Sequence, residues 1–318
     1  MPDTPVLFII FNRPNTTKKV FECIRMAQPS KLFIAADAAR ESHPTDKERC
    51  DAARAIVQKI DWPCEVRTLF REKNLGCGEA VSEAINWFFS ENEEGIILED
   101  DCLPHPDFFV FANQMLQHYR NDKRIISING SNLGYKLADG NSYTYSRFMN
   151  MWGWATWKDR ALSIDYSMRR WKKQKKQGWW LFRKLRQYFF DTDINWYRLW
   201  QNKFNKVAED KGFTWDWQWM FHQMDKNQLS IVPAVNLVSN IGFDADGTHT
   251  HEAENPAANI PTYALEQPLK HPSSIKPDFI YEEEYVKGVW CYHKRLPAIF
   301  YLKQFISTYL LRRKPANA

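Results

Sequence analysis

Short apolar runs separated by amphipathic stretches of helix length fill the first 130 residues. That alternation constrains the fold more than any other feature of the chain. Runs at Val6–Asn12, Leu32–Asp37, Glu65–Phe70, Gly95–Leu98 and Ile125–Ile128 have strand length and end in turn-forming or charged residues. Between them the spacing predicts four helices. The first is capped by Asn15 and runs to about Met26. The second covers Asp46–Ile60, with Ala52, Ala53, Ile56, Val57 and Ile60 on one face. The others cover Glu79–Ser90, after a loop at 74–78, and about Asp107–Tyr119. Such alternation implies an α/β fold with a mostly parallel sheet flanked by helices. Ligands of these sheets bind beyond the carboxyl ends of the strands. Those ends here carry Asn12, Arg13, Asp37, Arg71, Glu99, Asp100 and Asp101.

The second half differs. Eleven of the 14 tryptophans lie between Trp152 and Trp219. Helices are expected at Trp179–Phe190, Ile194–Glu209 and Asp216–Met224, a strand at Leu229–Val232 and a polar, glycine-containing loop at Asn240–His251. Prolines at 256, 261, 268, 272 and 277 mark an irregular stretch before a basic tail. The chain therefore divides into 1–130, 131–255 and 256–318, the first two forming halves of one domain. No apolar run reaches 18 residues, and Pro5–Phe11 reads as a strand, not a signal peptide. Six scattered cysteines without CxxC spacing suit reduced thiols and a cytoplasmic location.

Ile96-Ile97-Leu98-Glu99-Asp100-Asp101 puts three carboxylates at the end of a buried strand. Adjacent carboxylates repel unless a cation or donors compensate. Oxygen ligands suit Mn2+ or Mg2+, which commonly share one or two carboxylates with substrate phosphates. The alternative is an acidic turn before a helix that Asp107 opens. Asp216, within Thr214-Trp215-Asp216-Trp217, is a carboxylate in an aromatic wall, where apolar surroundings favour a base. It also stands where a helix would be capped. Trp152, Trp215 and Trp217 offer faces for sugar rings, whereas Trp154 and Trp157 read as core.

Ile97–Phe109 resembles the acidic motif of GT-A glycosyltransferases, and is most similar to that of the N-acetylglucosaminyltransferase I family: a hydrophobic strand, Glu-Asp-Asp, then a Pro-Asp-Phe-Phe helix start. Pro5–Arg13 resembles the family's first strand, with Asn12 where the family has Asp, and Phe33–Asp37 resembles its second. Bacterial sugar-nucleotide transferases of polysaccharide loci share the layout. The resemblance spans roughly residues 4–252. It implies a GT-A (Rossmann-like) nucleotide-diphospho-sugar transferase, with 1–130 binding the nucleotide-sugar and 131–255 the acceptor. Asp101 would be the metal ligand for Mn2+ or Mg2+. Glu99 and Asp100 would contact donor sugar and ribose, and Asp37 the uracil N–H. Asn12, Arg13 and Arg71 would lie near the nucleotide, Arg71 alternatively pairing with Glu72 or Glu79. Asp216 would match the catalytic Asp, and Thr248 and His249 would close over the diphosphate.

The implied activity is inverting transfer of a hexose, GlcNAc-like or another, from a UDP-sugar to a glycan or lipid-linked glycan hydroxyl in surface polysaccharide synthesis. A nucleotidyltransferase is the first alternative, but Phe11-Asn12-Arg13-Pro14-Asn15 lacks the expected glycine-rich loop. A non-catalytic glycan-binding protein is the second. Basic, aromatic-rich 169–186 and 294–314 suit peripheral contact with an anionic inner membrane face. Nucleic acid is not expected: the net charge is only +5 and the strand ends are acidic.

Overall fold

The computed structural model describes residues 4–137, 139–175, 183, 194–210, 214–243 and 257–289. The expected helix at 179–190, the loop residues Thr248 and His249, and the tail at 294–314 lie outside them, as does most of 176–193.

The predicted α/β class is met. Strands β1 (Val6–Ile10), β2 (Lys31–Ala36), β3 (Glu65–Phe70) and β4 (Glu94–Glu99) pair in parallel, in the order β3-β2-β1-β4. Helices α1 (Pro14–Ala27), α2 (Asp46–Ile56) and α3 (Gly76–Glu91) make the crossovers. Beyond β4 come β5 (Cys102–Pro104), α4 (Pro106–Tyr119), β6 (Ile125–Asn129), β7 (Tyr143–Ser146), β8 (Trp154–Trp157) and the short helices α5 (Lys158–Ala161) and α6 (Arg169–Lys175). Helices α7 (Ile194–Glu209) and α8 (Asp216–Lys226) follow, then β9 (Leu229–Pro233), β10 (Val238–Asn240) and α9 (Phe279–Val289). The completed sheet has eight strands in the order β3-β2-β1-β4-β8-β6-β9-β7. Strand β8 runs antiparallel between β4 and β6, so both halves of the chain share one sheet. A separate two-stranded sheet pairs β10 with β5.

Several boundaries depart from expectation. Helix α1 starts at Pro14, not behind an Asn15 cap, because proline is pre-set for the first helical position. The Arg13 carbonyl instead accepts from the Thr17 N–H and the Thr16 and Thr17 hydroxyls. Helix α2 stops at Ile56, and Ala52 is exposed while Ala53 and Val57 are buried. Helix α3 begins at Gly76, whose φ of 78° suits a residue without Cβ, so part of the expected loop is helix. Strands β5, β7, β8 and β10 and helix α9 add to the expected elements.

Two apolar layers sandwich the sheet. One joins α1 and α4 to the β1 and β4 side chains Phe8 and Leu98. The other joins α3 to Trp154, Trp200, Phe204 and Trp219. Trp154 and Trp157 are fully buried, as expected of core residues. The proline-marked stretch from 257 is irregular, as expected, and Pro277 bridges to Tyr145 beside β7. Among the described residues no helix is long and apolar enough to cross a membrane.

Candidate active site

Strands β1 and β4 are in register, Ile9 opposite Glu99, so Phe11–Arg13 and Glu99–Asp101 leave the sheet side by side. The Phe11 N–H donates to Asp100 Oδ2 at 2.9 Å. Arg13 Nη1 donates to Asp101 Oδ2 at 2.6 Å and lies 3.7 Å from Asp100 Oδ1. One guanidinium thus faces two carboxylates. Burial first, then the charges of Asp101, Asp100 and Asp216, push the Glu99 carboxyl well above its usual range, with Arg13 opposing. Burial and Asp101 push Asp100 up to about 7. Cys77, in the first turn of α3, is pushed up to about 12 by burial and then by Glu99, Asp216 and Asp101. Its thiol is therefore protonated near neutrality, and it feels the charge of carboxylates on β4, its following turn and α8.

Asp216 is the first residue of α8. Its Oδ1 accepts from the Trp217 N–H at 2.9 Å and from the Thr214 hydroxyl. The N-cap position belongs to Trp215, whose side chain makes no capping bond. The carboxylate is held locally, at a helix start where the dipole favours negative charge.

The chain after β10 closes one side. The Ile241 N–H donates to the Asp101 carbonyl at 2.8 Å. Gly242 lies so near the Asp101 carboxylate that a Cβ there would sit 2.2 Å from Oδ2. Half-buried Trp152 meets Phe243 edge to face at 5.5 Å, which brings it to the same rim. The other two acceptor-side tryptophans are deeper: Trp215 stacks on Trp154 at 5.9 Å, and Trp217 packs on Trp200 at 5.4 Å. Gly242→Ala is expected to lower stability by about 1–3 kcal/mol through overpacking. Gly288→Ala in α9, where a Cβ meets nothing within 4 Å, is expected to be neutral or stabilising. Thermal unfolding of both variants checks the contrast.

The remaining strand-end residues are held by other partners. Asn12 is buried, and its Nδ2 donates to Asp46 Oδ1 at 2.8 Å. Arg40 grips the same carboxylate at 2.5 Å, and its hydrogen bond is the main force lowering Asp46 to about 2. Arg40 also lies over the Phe11 ring at 5.4 Å. Arg71 pairs with Glu83 at 2.9 Å, and not with Glu72 or Glu79 as the alternative had it. Asp37 accepts from the backbone of Ala38, Leu75 and Gly76 and from Asn74 Nδ2. Arg40, Asp46, Arg54, Asn74, Cys77 and Gly242 join these residues without standing out as site residues in the sequence. Only Gly242, in a polar loop after a strand, carried a local signal.

Glu99, Asp100 and Asp101 offer only oxygens, and a divalent cation would relieve the part of their mutual repulsion that Arg13 leaves. Among the described residues no group of three or more His, Cys, Asp or Glu is arranged to hold a metal by itself. A cation here would rest on one or two carboxylates and on ligand oxygens, a mode that Mg2+ favours.

No family model matches the chain, and no curated protein matches it. Solved structures do. Mouse xyloside xylosyltransferase 1, in its apo form, is 11% identical over 72% of this chain and 84% of its own, with a TM-score of 0.35. HddC from Yersinia pseudotuberculosis is 10% identical over 49% of this chain and 77% of its own, with a TM-score of 0.31. A UDP-glucose pyrophosphorylase solved with UDP-glucose is 13% identical over 45% of this chain and 62% of its own, with a TM-score of 0.27. Likeness this remote says nothing of what this chain acts on.

Proposed function

We propose that the chain is an enzyme, a metal-dependent inverting glycosyltransferase that moves a hexose from a UDP-sugar to a hydroxyl of a glycan or lipid-linked glycan. One observation carries the reading: Arg13, Asp100 and Asp101 meet beside Glu99 at the carboxyl ends of β1 and β4, and Asp216, at the start of α8, acts on Glu99 through its charge. A leaving diphosphate needs positive charge, and an attacking hydroxyl needs a base. Arg13 supplies the first and Asp216 the second. Asp101 is the residue that would hold Mn2+ or Mg2+, with Asp100 beside it. The bound ion would stabilise the departing diphosphate as a Lewis acid. Glu99 would contact the donor sugar, and Trp152, packed on Phe243, would give the acceptor an apolar rim. Thr248 and His249 remain candidates for diphosphate contacts, and 169–186 and 294–314 for peripheral membrane contact.

Calorimetry of UDP binding tests the donor side. The wild type is expected to bind UDP at least about tenfold more tightly with Mn2+ than without, the equivalent of about 1.4 kcal/mol. Asp101→Ala is expected to lose that dependence. Wild-type protein that binds no UDP with either metal would overturn the reading and favour a glycan-binding protein.

A further inference from the structure

We infer that Asp37 is a latch for the loop after β3, a positioning residue and not a reader of the nucleotide base. This rests on the proposed donor site and assigns that carboxylate a different part in it. The acceptor capacity of Asp37 is already used. Its Oδ1 accepts the Ala38 N–H at 3.0 Å and shares the Leu75 N–H at 3.1 Å. Its Oδ2 accepts from Leu75 N, Gly76 N and Asn74 Nδ2, each at 3.0 Å. A carboxylate has about four lone-pair sites, and four donors fill them. A uracil N–H would have to displace one of these bonds, leaving a loop donor unpaired.

The loop gains a fixed path in return. Asn74 Nδ2 also donates to the Ala38 carbonyl at 2.6 Å, tying the loop to the backbone after β2. Gly76, held by its N–H, takes the positive φ that starts α3, and Cys77 follows it into the acidic centre. Arg54 supports the latch from below. Its Nη2 donates to the carbonyls of Asp37 at 3.0 Å, Arg71 at 2.9 Å and Ala36 at 3.4 Å, so one α2 guanidinium joins the ends of β2 and β3. Its Cζ lies 5.1 Å over the Phe70 ring. The result is a rigid wall between the strand ends and the start of α3, shaped before any nucleotide arrives.

Two measurements on Asp37→Asn and Asn74→Ala separate a latch from a reader. The first is backbone amide exchange. Asp37→Asn is expected to speed exchange at Leu75 and Gly76 by about tenfold or more, as loss of charge-assisted hydrogen bonds implies, with β1 amides still protected. Asn74→Ala, which keeps the carboxylate, is expected to give a smaller change in the same direction. The second is affinity for UDP and CDP, measured with Mn2+. Both nucleotides are expected to weaken together in Asp37→Asn, leaving their ratio within about twofold, because a latch does not sense the base. Unchanged exchange, or a UDP-to-CDP ratio that collapses about tenfold while exchange stays put, overturns the latch. If the wild type binds neither nucleotide, the proposed function fails, and the exchange experiment still decides the latch alone.

Discussion

Asp216→Asn is expected to lower sugar transfer by about 10²–10⁴-fold, the usual contribution of a positioned general base, while UDP affinity changes little. The substitution is nearly isosteric. The Asn side-chain carbonyl can still accept from the Thr214 hydroxyl and the Trp217 N–H, so these two bonds at the start of α8 are kept. The charge and the basicity go. Because Asp216 helps to push up Glu99 and Cys77, its neutralisation relieves repulsion among the acids and does not add to it. UDP release from UDP-GlcNAc, or from whichever UDP-sugar supports turnover, reads the rate, and calorimetry reads binding. Turnover at the wild-type rate would remove Asp216 from the base role and leave the donor site standing.

Glu282→Ala is expected to cost about 3–5 kcal/mol, the penalty for leaving a buried charge without its partner. Glu282 on α9 takes the Arg147 backbone N–H at 2.6 Å and its Nε at 2.9 Å, and pairs with Nη2 as well. The two side chains are 11% and 4% exposed, so water cannot replace the lost carboxylate. Around the pair, Tyr285 stacks on Phe148 at 4.9 Å and Tyr281 meets Tyr135 edge to face at 5.2 Å. Thermal unfolding is expected to fall by roughly 6–20 °C at 2–4 °C per kcal/mol. The double change Arg147→Met with Glu282→Leu, which removes both charges, is expected to recover most of the loss. Exchange confined to α9 amides would show that the helix undocks before the sheet opens. Tyr285 feels the charge of Asp216, so that undocking would also reach the proposed base.

Three of the strands legible in the sequence share a physical reason. Val6–Ile10, Lys31–Ala36 and Glu94–Glu99 belong to a parallel sheet covered on both faces, so they read as continuous apolar runs. Tyr143–Ser146 and Trp154–Trp157 are as deeply buried but only four residues long, and they mix hydroxyls with aromatics. Their partners are distant in sequence, β9 for one and β4 and β6 for the other, so local periodicity holds no trace of them. Helix α9 was hidden because its anchor is an ion pair to a residue far upstream.

The site divides in the same way. Carboxylates ending a buried strand, such as Asp100 and Asp101, are visible because acids there need a reason. Asp216 is visible through its tryptophan neighbours. Arg54 and Asn74 are not, because an arginine within a helix and an asparagine in a turn are ordinary. What sets them apart is the backbone carbonyls and the carboxylate they meet. The shift of the α3 start from Glu79 to Gly76 matters most, since it moves Cys77 from an expected loop into the acidic centre.

The place of β8 has a consequence for biosynthesis. A chain emerging from the ribosome can pair β1 through β4 early, but β4 then presents an open edge until Trp154–Trp157 arrives to fill it. Strand β6 is translated before β8 and waits with its own edge uncovered. A nascent chain halted before residue 154 therefore carries two buried-type strands with nothing between them, a template for joining another chain. Folding in the cell is tied to how quickly the ribosome passes that point.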